Sequence, residues 1–424
     1  MTEVKVQRSN TQIKLIFEED GSTEFPIARL MEELGLEMKS FATSAGLILM
    51  QKLMEAEVEH LAGPRKSRGS EINRWCKENG SVVVGGQRLP VERQRLRTDD
   101  NKTEVPLKSY TMFHGSDERT QAVYQRMLAG VSCRNYQKTL EEMAEASGVS
   151  KSVVSREIIR ATEADIDELC KRDLSKLDVC VMVVDGMPLD GQMTIAAIGV
   201  ETSGKKHFLG FHEGATENSE VCESLFKDFT GRGLDMQRPM LYIIDGAKAL
   251  VKAIKNVSGV NAVIQRCQFH KSENLRKHLP KKYQAQYETK LRTIYEMRRH
   301  DEAKKALESL ITEVDRLSVS AGNSLREGFD ETLTLHLLEI PDILRKSFST
   351  SNIIESTFSV AEDLMKNVKR WRTAMQRFRW CATAFLRTEK KFRRVRGYKS
   401  MQVLVAALEA EVRKRKNESL TRIA

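Results

Sequence analysis

Apolar and polar positions alternate in several distinct ways along this chain. Over residues 28–61 apolar side chains (Leu47, Met50, Leu53, Met54, Val58, Leu61) recur at helical spacing. That predicts one or two amphipathic helices, ended by Gly63-Pro64. Residues 13–17 are β-prone, and residues 81–91, with Gly85-Gly86 at the centre, predict a small hairpin. Its neighbours Arg88, Arg93, Arg95 and Arg97 could touch phosphates or line a solvated strand face. Residues 117–160 return to helical spacing. Within them, residues 140–146, a turn at Ser147-Gly148, and a helix over 151–160 capped by Ser150 have helix-turn-helix form. The second helix shows Lys151, Ser152, Ser155 and Arg156, polar and basic groups that suit a DNA major groove, although many helical hairpins share this form without binding DNA.

The centre of the chain is patterned differently. Residues 179–184 are a continuous apolar run leading into Asp185-Gly186, which predicts a strand buried on both faces with an acid at its end. The design recurs at residues 240–244 and Asp245-Gly246. Two more strands are predicted at 194–200 and 206–211, a helix at 217–229, another at 247–257, and a fifth strand at 262–267. Residues 186–192 read as a turn, so the first three strands meander antiparallel. Strand-helix-strand-helix-strand then requires parallel neighbours through right-handed crossovers. Three meandering strands plus two crossovers define an α/β fold class with an RNase H-like mixed sheet.

Residues 271–349 lose strand patterning and predict an all-helical insertion; helices follow at 351–366, 374–392 and 401–416. The expected organisation is therefore a mainly helical N-terminal DNA-binding or dimerisation region with a small hairpin (1–115) and a helix-turn-helix-like region (116–175). The first part of a catalytic core (176–270), the insertion (271–349), the second part of the core (350–400) and a terminal helix (401–424) complete it.

Composition narrows the partners. The 424 residues are 40% hydrophobic and 30% charged, which fits a multidomain globular protein. No apolar run approaches the ~20 residues of a membrane span, and the polar N-terminus lacks a signal-peptide core. Seven scattered cysteines, an odd number, argue for a reducing, cytoplasmic setting rather than a disulfide framework. The net charge is +10, and residues 366–399 hold thirteen Lys or Arg against one acid, Glu389. Lys369, Arg370, Arg372, Arg377, Arg379 and Trp380 lie there as candidate DNA contacts, with a basic helix of ordinary apolar core as the plain alternative. Trp371 or Trp380 could stack on an unpaired base, but a helical Trp commonly belongs to a core.

Asp185 and Asp245, each ending an apolar strand, are the candidate catalytic pair, although Asp-Gly is also a common turn pair. Two carboxylates hold a divalent ion weakly, and Glu355, beyond the insertion, is the candidate third. It also stands at capping-box spacing from Asn352. Three acids suit Mg²⁺, and two divalent ions ~3.5–4 Å apart can drive an in-line displacement at a phosphodiester. Cys267 and His270 are half of a zinc site, with no second pair at finger spacing. His270 could contact a scissile phosphate, or the pair could be a buried thiol and a helix-capping histidine. No phosphate-cradling GxxxxGK[ST] loop is present.

The motifs Val184-Asp185-Gly186, Asp245-Gly246-Ala247-Lys248-Ala249, Gln265-Arg266-Cys267-Gln268-Phe269-His270-Lys271-Ser272-Glu273-Asn274 and Ser349-Thr350-Ser351-Asn352-Ile353-Ile354-Glu355-Ser356, taken together, resemble transposases of the Mutator superfamily, in their bacterial insertion-sequence branch. The resemblance extends through Arg379-Trp380 and Thr388-Glu389 and spans roughly residues 118–400. It implies a DDE triad of Asp185, Asp245 and Glu355 holding Mg²⁺ or Mn²⁺, with His270 beside it. It also implies cleavage and strand transfer of double-stranded DNA at terminal inverted repeats, by a homodimer or larger assembly on the bacterial nucleoid. This chain departs from the pattern at Thr350-Ser351, where paired threonines are usual, and matches only loosely over the first 115 residues. An RNase H-fold nuclease or resolvase without strand transfer, and a non-catalytic DNA-binding descendant, are the alternatives.

Overall fold

The computed structural model describes residues 4–9, 12–17, 38–65, 71–84, 87–98, 100, 103–114, 117–129, 151–214, 219–366, 368 and 370–423. The chain divides into two compact units, Met1–Ala161 and Thr162–Ala424.

In the first unit, β1 (Val4–Ser9) and β2 (Gln12–Phe17) form an antiparallel pair. Helix α1 (Met38–Ala62) precedes an antiparallel sheet of β3 (Ile72–Val84), β4 (Gln87–Thr98) and β5 (Glu104–Val105). Then come α2 (Lys108–His114), α3 (Asp117–Leu128) and the start of α4 (Lys151–Cys170). Met54 packs against Val82, Leu89 and Val91, and Val58 against Leu96. The predicted hairpin is thus only the closed end of a longer ladder that pairs Ile72 with Thr98. Leu96 and Ile72 join Val58 in its outer half, and cross-strand charge holds the rungs between the two apolar clusters. Arg93 pairs with Glu78 at 2.8 Å and lies 4.3 Å from the Tyr110 ring centre, while Arg95 pairs with Glu104. The first helix and turn of the predicted helix-turn-helix fall outside the described residues. The second helix starts at Lys151 as expected and runs on to Cys170.

The second unit is built on one sheet. Strands β6 (Val179–Leu189), β7 (Gln192–Glu201) and β8 (Lys206–Gly214) meander antiparallel. Helix α5 (Ser219–Gly231), β9 (Met240–Ile244), α6 (Lys248–Ser258) and β10 (Ala262–Arg266) follow, with β9 parallel to β6 and β10 parallel to β9. The strand order is β10-β9-β6-β7-β8, the expected meander and crossovers. One expectation fails: β6 does not end at Asp185. It continues through Gly186 to Leu189, because β7 pairs with it as far as the Leu189–Gln192 rung. A two-residue turn at Asp190 and Gly191, both at positive φ (51° and 72°), closes that hairpin. Ladder pairing overrode the turn-like composition of residues 186–192.

Adjacent residues of β8 serve opposite faces of the sheet. Leu209 joins the cluster formed with α5 and α6 (Phe226, Phe229, Leu250, Ile254), whereas Phe208 stacks on Phe385, ring centres 4.3 Å apart. Between the two parts of this core, only helices are found: α7 (Gln268–His278), α8 (Lys281–Glu296), α9 (His300–Asp315), α10 (Val319–Arg326), α11 (Phe329–Thr332), α12 (Thr334–Leu337) and α13 (Asp342–Phe348). They enclose their own core of Leu275, Leu291, Leu307, Val314, Leu325 and Leu333. The chain then returns as α14 (Asn352–Met365), packed on β6 and β7, and α15 (Ala374–Glu389), packed on β8, before α16 (Met401–Ile423).

Glu389 fastens α15 in place. Its carboxylate takes two hydrogen bonds from the Arg172 guanidinium (2.7 and 2.8 Å) and one from the Phe208 N–H (3.0 Å). Its side chain is 15% exposed, so solvent screens the pair little. Glu389→Gln removes the charge and leaves Arg172 only Glu168, 4.0 Å away; the free energy from urea unfolding is expected to fall by about 2–3 kcal/mol.

Candidate active site

Asp185 and Asp245 are neighbours because of strand register. The β6–β9 ladder ends at Val183 opposite Ile243, and each aspartate lies two residues beyond that rung. β9 stops at Ile244, so Asp245 opens a loop while Asp185 remains in a strand. The Asp245 carboxylate accepts from the Ala247 N–H (2.9 Å) just before α6. Gly246, at φ 103°, lies against Arg266, and a side chain there would strike that guanidinium. Asp185 is 7% exposed, and its carboxylate accepts from the Gly186 N–H at 2.9 Å. Burial and the charge of Asp245 push its carboxyl up to about 6, with the charge of Glu355 adding to the rise and His270 opposing it.

The third and fourth groups arrive on two helix starts. Cys267 is the N-cap of α7, and its Sγ accepts from the His270 N–H at 3.5 Å. Ser351 is the N-cap of α14, and Glu355 sits one turn into that helix. The Ser351 N–H donates to Cys267 Sγ (3.3 Å), which ties the two helix starts together. The Ser351 hydroxyl donates to the Glu355 carboxylate and lies 3.3 Å from Cys267 Sγ and 3.5 Å from His270 Nδ1. His270 Nε2 stands 3.9 Å from Glu355 Oε1. Hydrogen bonding to Cys267, together with the charges of Cys267, Asp185 and Glu355, raises the His270 imidazole to about 9. Burial opposes ionisation of the Cys267 thiol, but hydrogen bonds from His270 and Ser351 outweigh it and hold the thiol below its ordinary value. The capping box does not form: Ser351, not Asn352, is the N-cap, and the Glu355 carboxylate is held by a hydroxyl.

The structure therefore brings Asp245, His270 and Glu355 within electrostatic reach of Asp185, and His270 within reach of Glu355. The donor atoms of Cys267, His270 and Glu355 lie within 4.8 Å of one another and could also hold a metal. Carboxylate oxygens are the donors Mg²⁺ and Mn²⁺ prefer, and a buried acid crowded by two others is the situation a divalent cation relieves. The residues present fit such an ion.

The word spanning Gln265 to Asn274 has a second side, which the sequence did not reveal. Gln265 and Gln268 both donate to the Thr332 carbonyl at 3.0 Å, and Gln265 Oε1 accepts from the Leu335 N–H. Arg266 donates to Glu331 at 2.6 Å, and Lys271, 4% exposed, donates to the carbonyls of Ser324 and Glu327. These four side chains clamp the helical segment to the edge of the sheet. Only their uncommon density of polar groups beside a buried strand hinted at it.

A family model described as "Transposase, Mutator family" matches residues 39–378. The chain belongs to the Mutator family of transposases. Related proteins include the transposase of insertion sequence IS6120 from Mycolicibacterium smegmatis, 27% identical over 55% of this chain and 72% of that protein. The transposase of IS256 in Tn4001 from Staphylococcus aureus is 29% identical over 63% of this chain and 68% of its own. That of IS905 from Lactococcus lactis subsp. lactis is 26% identical over 76% and 80%. Among the described residues, no helix is long and apolar enough to cross a membrane.

The candidate DNA contacts of this transposase are placed unevenly. Ser152, Ser155 and Arg156 are exposed on α4; the side chain of Lys151 and the whole of Lys369 lie outside the described residues. Arg370 and Arg372 are exposed ahead of α15, and Arg379 is half-buried. Arg377, with a side chain 14% exposed, pairs with Asp190 at 3.2 Å and lies 3.8 Å from Glu213. It holds the β6–β7 turn against α15. Trp380 is 7% exposed, so its ring belongs to the core and offers no face to a base.

The Asp185 carboxyl is raised from 3.8 to about 6 on folding, so its contribution to stability is present at low pH and lost as pH rises through about 6. Asp185→Asn removes that loss. In EDTA at neutral pH this variant is expected to be about 2–3 kcal/mol more stable than wild type, the gap closing toward pH 4. Thermal melts across that range read it directly; a gap that does not shrink at low pH counts against the assignment.

A separate test concerns the clamp. Gly328 adopts φ 65° against the Arg266 side chain. Gly328→Ala is expected to lower the melting temperature by an amount equivalent to at least about 2 kcal/mol, from left-handed strain plus overpacking.

Proposed function

We propose that this Mutator-family chain is a DDE transposase that cuts double-stranded DNA at its element's terminal inverted repeats and joins the ends to a target. The observation that carries this is the nearness to buried Asp185, within β6, of Asp245 just past the end of β9, of Glu355 on a helix beyond the insertion, and of His270. The β10-β9-β6-β7-β8 order, interrupted by helices before α14, supports an RNase H-like core. Asp185, Asp245 and Glu355 would hold Mg²⁺ or Mn²⁺, two ions in our reading. When bound, such ions supply the Lewis acidity that lowers the barrier to in-line displacement at phosphorus.

The protein's own groups divide the remaining work. Asp185 is fixed by its strand and by the Gly186 N–H, so its carboxylate needs no reorganisation to act. Glu355 is aimed by Ser351. His270, favoured in its charged form, places a positive donor next to Glu355, where it can meet a phosphate oxygen or give a proton to the leaving oxygen as its bond to phosphorus breaks. Arg370 and Arg372 are exposed cations suited to the DNA backbone. Ser152, Ser155 and Arg156 would read a groove from α4. Two DNA ends must be brought together, so a homodimer or larger assembly is part of the proposal, as is action on the bacterial nucleoid.

The test is cleavage of labelled element ends in Mg²⁺. Asp185→Ala, Asp245→Ala and Glu355→Ala are each expected to lower the rate by a factor on the order of 10² or more, with DNA binding retained. Undiminished cleavage by Asp185→Ala would sink the assignment. Offering a pre-cut 3′-OH end separates a transposase, which joins it to target DNA, from a nuclease, which does not.

A further inference from the structure

We infer that Ser351 is a positioning residue that sets the third carboxylate and the site histidine at once. The inference rests on the metal-site reading above. Ser351 is fully buried. A serine at a helix N-cap ordinarily turns its oxygen back onto the free N–H groups of the first turn, which stabilises the helix by about 1 kcal/mol. Ser351 forgoes this: it is the N-cap of α14 and makes no side-chain cap hydrogen bond. Its hydroxyl is turned toward the site, where it meets Glu355, His270 Nδ1 and Cys267 Sγ together.

The chemistry of one hydroxyl orders these contacts. It has a single proton, which goes to the Glu355 carboxylate, the strongest acceptor of the three. Its lone pairs are then free for His270 Nδ1 at 3.5 Å, beside the hydrogen bond that the imidazole makes to Cys267. That holds the imidazole with Nε2 on the Glu355 side, 3.9 Å from Oε1. Cys267 Sγ fixes the serine itself by accepting its N–H. Glu355 is on a helix surface and a third exposed, so without this hydroxyl it has several rotamers away from Asp185 and Asp245. The hydroxyl selects the one that faces them.

The experiment measures Mn²⁺ binding to the full chain without DNA, from the electron paramagnetic resonance signal of free Mn²⁺, with folding followed by circular dichroism. Wild type, Ser351→Ala, Ser351→Thr and Asp185→Ala are compared. Ser351→Ala is expected to melt like wild type, since no cap is lost, and to bind Mn²⁺ about 10-fold or more weakly. Ser351→Thr, which keeps the hydroxyl, is expected to bind like wild type. Wild-type binding by Ser351→Ala while Asp185→Ala loses the ions overturns the positioning role alone. Undiminished binding by Asp185→Ala overturns the metal site and the inference with it. Equal losses in the alanine and threonine variants, or an unfolded alanine variant, also overturn the inference, because the residue then acts through packing.

Discussion

A carboxylate taken out of water beside other carboxylates is unfavourable unless something compensates it, and Asp185 is held in that position by the sheet itself. Its strand is paired on one edge to Leu189 and on the other only to Val183. The shorter neighbour leaves room for Asp245 at the matching register. Neither aspartate can move away without breaking a ladder or the Ala247 hydrogen bond that fixes the loop. The nearby cationic group acting on Asp185 is His270, and its influence does not offset burial and Asp245. A site that strains the fold in this way stabilises whatever charge complements it.

The other half of the site is joined to this one through Cys267. Its N–H donates to the Ile244 carbonyl at 2.7 Å, immediately before Asp245. Its sulfur accepts from His270 and from Ser351, and the next residue, Gln268, donates its N–H to the Ser349 carbonyl. Three chain segments far apart in sequence thus meet at one buried thiol. A Cys-x2-His word resembling half a zinc site is, in this arrangement, a joint that keeps the two aspartates and Glu355 in one frame. The flanking Gln265, Arg266, Gln268 and Lys271 bind the helical insertion to the same edge.

Much of the second unit was legible because its residues had few alternatives. Residues 179–184 and 240–244 are too apolar and too short for anything but buried strands, and the acids after them stand out against that background. The helical character of the insertion followed from its lack of strand patterning, its two glycines and its wealth of Leu, Glu, Lys and Arg. The misjudged end of β6 has a physical cause: Gly186 and Pro188 carry turn composition, but a strand with a committed antiparallel partner continues regardless. The same holds for the β3–β4 ladder, which runs on past the predicted hairpin through a charged rung, Glu78–Arg93, that interrupts any apolar period. Arg377 and Trp380 looked like DNA contacts by residue type. Which face of α15 they occupy was decided by β8 and the Asp190 turn.

By itself the sequence singled out the residues that the proposed chemistry needs, because a metal-assisted phosphodiester site calls for several acids and only a few acids here follow apolar elements. It also determined the antiparallel meander and the parallel crossovers after it, since short turns and strand-helix-strand connections leave little choice. Whether Glu355 caps its helix or faces the aspartates was not determined, for both uses need the same residue type at the same place. Tertiary structure decided it: Ser351 takes the N-cap position, leaves the cap unmade, and directs its hydroxyl at Glu355. That choice depends on Cys267 reaching Ser351 across a helical insertion, a contact between residues 84 apart that no local pattern encodes.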